Sequence, residues 1–172
     1  MNQSDWLIGA PVDLCGQTTE CTNTTLVGEP MHKFNWDSHL ETGNELIDRE
    51  HKEIVGIYND CVDSVQRGTE LKKLITRLNE LHAKLAAHFK TEEILAGCIS
   101  ANTEGELKIA RHKEQHDEML GYMQATISKL ADSGDSTVVV AELLDRLYEW
   151  YEIHIEHEDK DFVAHIKKRF AS

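Results

Sequence analysis

Proline is scarce, with only two in 172 residues, and both, Pro11 and Pro30, fall in the first 30 positions. That stretch also carries several Thr and Asn and no helical periodicity, so residues 1–30 are expected to form an extended or disordered N-terminal arm. Cysteine is sparse as well. Cys15, Cys21, Cys61 and Cys98 are too few and too irregularly spaced for a secreted disulfide scaffold, and none forms a Cys-x-x-Cys pair, which argues for a reducing compartment. Positive charge is short: 18 Lys and Arg stand against 31 Asp and Glu, a formal charge of -13. Such a chain repels phosphate backbones and anionic headgroups, so neither nucleic acid nor a membrane is an expected partner. Long apolar runs are missing too. The run from Trp6 to Val12 has no Lys or Arg ahead of it, unlike a signal peptide, and no segment is long enough to span a bilayer; the expected location is cytoplasmic.

What is present is an ordinary globular composition, 40% hydrophobic and 28% charged, in a chain long enough for one core. Beyond Met31, apolar residues recur every three or four positions in four long stretches separated by polar breaks. The first, about 44–67, carries Ile47, His51, Ile54, Tyr58, Cys61 and Val65, and ends at Gly68 and Thr69. The second, about 70–95, carries Leu74, Leu78, Leu81, Leu85, His88, Glu92 and Leu95, with Gly97 as its stop. The third, about 103–131, holds Ile109, His112, His116, Met119, Met123 and Ile127. The fourth, about 137–170, runs through Val140, Leu143, Leu144, Leu147, Tyr151, Ile155, Phe162 and Ile166. Helices joined by short loops run antiparallel to their neighbours. The expected fold is therefore all-α, an up-down-up-down four-helix bundle over residues 31–172 with an N-terminal extension.

The anomaly is that these apolar seams contain His51, His88, Glu92, His112, His116 and His154 at positions that face the core. A lone inward histidine is ordinarily a hydrogen-bonded core residue. Several imidazoles and a carboxylate on all four inward seams are different, because each buried polar group is costly unless partnered and a shared metal partners many at once. Both His88 with Glu92 and His112 with His116 have the four-residue spacing that lets two side chains converge on one ion. On the last helix the candidate carboxylates near His154 are Glu158 and Asp159, and regular helical phase favours Glu158. Imidazole with carboxylate and no seam thiolate suits iron, zinc, copper or manganese rather than calcium or magnesium. One zinc ion would leave several of these groups unserved. Five imidazoles, two bridging carboxylates and a bridging oxo or hydroxo group fill all but one position of two octahedral ions, leaving room for one small ligand.

These residues resemble the hemerythrin family, specifically its bacterial hemerythrin-like (bacteriohemerythrin) domains. The resemblance covers about 33–170 and rests on Phe34-Asn-Trp36, on Ile47-Asp48-Arg49-Glu50-His51-Lys52, on His88-Phe89-Lys90-Thr91-Glu92-Glu93, on His112-Lys-Glu-Gln-His116, and on His154-Ile155 followed by Asp159-Lys160. It implies two iron ions (Fe2+/Fe3+), one held by His112, His116 and His154 and the other by His51 and His88, with Glu92 and Asp159 bridging. The Asp-Lys-x-aromatic run selects Asp159 over Glu158. The implied function is reversible dioxygen binding for storage, delivery or sensing, without enzymatic chemistry, and the implied partners are dioxygen and an oxygen-consuming enzyme or a signalling protein. The alternative is a di-iron redox enzyme or stress protein acting on peroxide, nitric oxide or iron. Against a ferritin-type site, the only Glu-x-x-His spacing is Glu29 to His32, ahead of the bundle. The chain departs from the family in its 20-residue step from Glu92 to His112, which lacks the usual proline; Gly97 to Gly105 is expected to be an inserted loop.

Overall fold

The computed structural model describes residues 31–97, 103–133 and 137–170. Those residues are all-α and contain no strand. Helix α1 is Glu45–Gln66, α2 Leu71–Gly97, α3 Thr103–Ser133 and α4 Thr137–Ile153, which continues through a π-helical turn, His154–Asp159, into α5, Lys160–Phe170. A 3-10 turn at Ser38–Leu40 precedes them. The expected arm at 1–30, with Cys15 and Cys21, lies outside the described residues, as does Cys98. The expected inserted loop is shorter than its glycines suggest: Gly97 closes α2 and Gly105 is inside α3. Among the described residues no helix is long and apolar enough to cross a membrane.

Local chemistry sets the ends of α1. The Asn44 side chain accepts from the amides of Leu46 and Ile47, supplying two of the unsatisfied donors of the first turn. At the other end Gly68 takes φ +64°, and the amides of Gly68 and Thr69 return to the carbonyls of Val65 and Ser64. In the first turn of α1, buried Asp48 reaches back to accept from Thr42 N at 2.8 Å, Thr42 Oγ1 at 2.7 Å and Gly43 N at 3.0 Å. Asp48→Ala strands these donors and is expected to cost about 2–3 kcal/mol, a fall in Tm of roughly 5–10 °C, with metal content unchanged. A thermal melt alongside metal analysis checks it; an unchanged Tm would make the clasp ornamental.

Helix α1 packs on α2 and α4, and α3 packs on the same two, so the four close a ring around one axis. The buried side chains form a large cluster, from Phe34 and Ile54 to Leu147 and Ile155, and a smaller one of Ile47, Ala96, Phe162, Val163 and Ile166. Along the helices the polar seam residues fall between these clusters. His51 sits between Ile47 and Ile54, Glu92 between Phe89 and Ala96, and Asp159 between Ile155 and Phe162.

The segment before α1 is docked rather than loose. Phe34 N donates to Asn59 Oδ1 and Asn59 Nδ2 donates back to Phe34 O, each at 3.0 Å. Phe34 packs among Tyr58, Tyr148 and Tyr151. This anchoring lays Trp36 beside His51, ring centroids 6.1 Å apart.

Candidate metal centre

All seven residues expected from the sequence converge. They form two overlapping groups, Glu92, His112, His116, His154 and Asp159 in one and His51, His88, Glu92 and Asp159 in the other, with the ligand atoms of each group within 4.8 Å of one another. Every member is buried, and His51 and Asp159 have no exposure at all. His32, His39, His157 and His165 are exposed and His82 half-buried, outside both groups.

The two carboxylates divide their oxygens between the groups. Asp159 Oδ1 lies 3.0 Å from His112 Nε2 and 3.2 Å from His154 Nε2, whereas Oδ2 lies 3.2 Å from His51 Nε2. Glu92 Oε2 lies 3.4 Å from His116 Nε2 and 3.6 Å from His112 Nε2, whereas Oε1 faces His88 Nε2 at 3.9 Å. Each therefore spans a three-imidazole half and a two-imidazole half.

Asp159 reaches this position because of the π turn. There the Lys160 amide returns to Ile155 O, five residues back. Each residue then advances about 80° instead of about 100°, so five steps end roughly 40° from His154 rather than about 140°. Glu158 is displaced outward, half-buried, with Gln115 Nε2 3.5 Å from its Oε1. The local distortion overrides the regular phase that favours Glu158.

Hydrogen bonding among these side chains cannot satisfy them. His154 Nε2 is 3.0 Å from His112 Nε2 and 2.8 Å from His116 Nε2, and His51 and His88 bring their Nε2 atoms to 2.9 Å. A ring nitrogen carries at most one proton, so no tautomer assignment serves all of these contacts and those to the carboxylates at once. Both Glu92 oxygens and Asp159 Oδ2 are buried without a hydrogen bond. Metal–nitrogen bonds of about 2.1 Å put neighbouring ligands of one ion about 3.0–3.4 Å apart, and most of the observed separations fall near that range. The residues fit a cation pair.

Electrostatics agree. Burial pushes the Glu92 carboxyl well above its ordinary range, and the nearby Asp159 charge adds to this. Burial also works against Asp159, but the His154 charge and the hydrogen bond from His112 hold it well below the ordinary range. Burial, reinforced by His112 and His154, drives His116 down to about 2, keeping its imidazole neutral and ready to ligate.

Outer contacts hold the rings. His116 lies flat on Phe89 at 3.7 Å and His154 on Trp150 at 4.2 Å, so Trp150 is a packing group. Glu50 is the partner that the seam pattern misses. Its Oε2 is 3.0 Å from His88 Nδ1, and Thr91 Oγ1 donates to its Oε1 at 3.0 Å. Burial raises the Glu50 carboxyl, but these hydrogen bonds outweigh burial and leave it below its ordinary value. A Nδ1–H donated to this carboxylate turns the Nε2 lone pair inward, the usual arrangement behind a ligating histidine. Glu50 sits one position off the seam, so periodicity assigns it to the surface; its place beside His51 is the only hint.

A cleft of about 650 Å³ reaches Glu92, His112 and His116 past Ile109 and Phe162. A second, of about 450 Å³, meets His112 on the other side of Phe162. The His51 and His88 half borders neither.

The family model described as hemerythrin HHE cation binding domain matches residues 42–166. No curated protein matches the chain.

Proposed function

The chain belongs to the hemerythrin family of HHE cation-binding domains, and from that premise we propose that it binds dioxygen reversibly at a di-iron centre. In this reading His112, His116 and His154 hold one iron, His51 and His88 the other, and Glu92 and Asp159 bridge them. The carrying observation is the unequal division of nitrogen: both halves share the same two carboxylates, but one has three imidazoles and the other two. The poorer half has room for one small ligand. A ferrous pair held by these residues would supply the two electrons needed for reversible dioxygen binding.

The chain's own residues do the rest. Glu50 and the aromatic stacks fix the imidazoles, and Ile47, Tyr151 and the main core keep bulk water from the His51 and His88 half and slow loss of electrons there. No reaction on a substrate belongs to this reading. Storage, delivery to an oxygen-consuming enzyme and sensing all use the same site, and sparse, irregularly spaced cysteines support a cytoplasmic setting.

The test is iron per chain with visible absorption as the anaerobically reduced protein is given air and then cleared of it. Two irons and a charge-transfer band that comes and goes with oxygen support the proposal. One observation favours a second reading, as a redox enzyme or stress protein: the 650 Å³ cleft reaching Glu92, His112 and His116 admits molecules larger than dioxygen. An oxidised spectrum that needs a reductant to reset, with turnover of peroxide or nitric oxide, moves that reading ahead.

A further inference from the structure

Two buried donors beside His51 have no hydrogen-bond partner among the described residues: the Tyr151 hydroxyl and the Trp36 indole nitrogen. Tyr151 is the more telling. It is 1% exposed, and its ring stands edge-on to His51 with centroids 5.7 Å apart. It lies on α4 one turn before His154 and packs against Phe34 on its other side. Position and packing call for a plain hydrocarbon. The other fully buried phenol, Tyr58, shows what a structural hydroxyl does: it donates to the carbonyls of His32 and Leu144. Tyr151 has no such contact. Burial raises its phenol far above the ordinary value, and the charges of Asp159, Glu92 and Glu50 raise it further, so it remains a proton donor at neutral pH. An unpaired buried donor against the nitrogen-poor half of a metal cluster is placed for a partner that arrives from outside.

We propose that the Tyr151 hydroxyl donates a hydrogen bond to the small exogenous ligand at the His51 and His88 half, favouring ligands that carry negative charge when bound and slowing their release. This rests on the reading above, in which that half takes the ligand.

Azide is the probe, titrated into the iron-loaded, oxidised full chain while its visible band is followed. Tyr151→Phe keeps the ring and removes only the hydroxyl. It is expected to weaken azide binding about ten-fold or more, mostly through faster dissociation. Iron content stays the same, and the metal-free protein melts at the same or a higher temperature, since an unpaired hydroxyl has been removed. In D2O the bound azide stretch should shift in the parent protein and not in Tyr151→Phe. Tyr148→Phe, which alters a half-buried ring stacked on Phe34, should bind azide like the parent. Equal azide affinity in Tyr151→Phe and parent overturns the inference and leaves the di-iron reading standing. Lower iron content or a lower metal-free Tm in Tyr151→Phe also overturns it, by making the hydroxyl structural. A parent protein that loads two irons yet binds no azide overturns the open position, and one that loads no iron overturns the functional reading itself; the inference falls in both cases.

Discussion

Asp159→Ala is expected to reduce iron from two per chain to one or none, whereas Glu158→Ala is expected to leave it at two. Asp159 Oδ1 faces His112 and His154 while Oδ2 faces His51, so its removal takes one contact from each half. The buried imidazoles then lack a charge that offsets two cations at close range. Loss of an outer partner of a metal ligand typically costs 10–100-fold in affinity, and loss of a bridging ligand is expected to cost at least about 100-fold. Glu158 is half-buried near Gln115 and faces neither group. Metal analysis of the two variants after identical anaerobic loading decides the matter. Retention of both irons by Asp159→Ala, with loss in Glu158→Ala, would mean that the helix runs in regular phase through His154.

Removing the metal is expected to lower Tm by about 10–20 °C, corresponding to about 5 kcal/mol or more for a domain of this size. Chelation leaves five buried imidazoles and two buried carboxylates facing one another, with Glu92 and part of Asp159 unbonded. A pH dependence follows. Burial holds His88 and His116 below the ordinary value of 6.5, so as pH falls through 6.5 the unfolded chain takes up protons that the folded chain refuses. Acid therefore destabilises the metal-free fold. Glu92 opposes this, because burial makes the folded protein keep a proton that the unfolded chain releases above 4.5. The two imidazoles outnumber the one carboxylate, so metal-free stability should fall as pH drops below about 6.5, with Glu92 softening the fall. Thermal melts with and without chelator at several pH values measure both effects. Equal Tm values in the two forms would show that the cluster is satisfied without a cation.

Much of this molecule is legible in its sequence. The four periodic stretches give helices whose ends agree within about two residues, because capping groups such as Asn44 and Gly68 act locally. His51, His88, Glu92, His112, His116 and His154 stand out because a polar residue on an apolar seam is visible without coordinates. Glu50 does not stand out, since a side chain reaching across from α1 to His88 on α2 occupies no seam position. Nor does Tyr151, which on the seam is one more large apolar residue until its hydroxyl proves to be unpartnered.

By itself, then, the sequence determined which faces are buried and which imidazoles turn inward, because a helical face is set by spacing along a single chain. Helical phase favours Glu158 and the family resemblance Asp159, and only the tertiary structure supplied the reason for Asp159, since one π turn rotates every later residue and is held in place by packing on both sides of it. It alone also decided that two carboxylates are shared between unequal sets of imidazoles and that a phenol beside them is unpaired. Those are relations among four helices, and no period along one of them contains them.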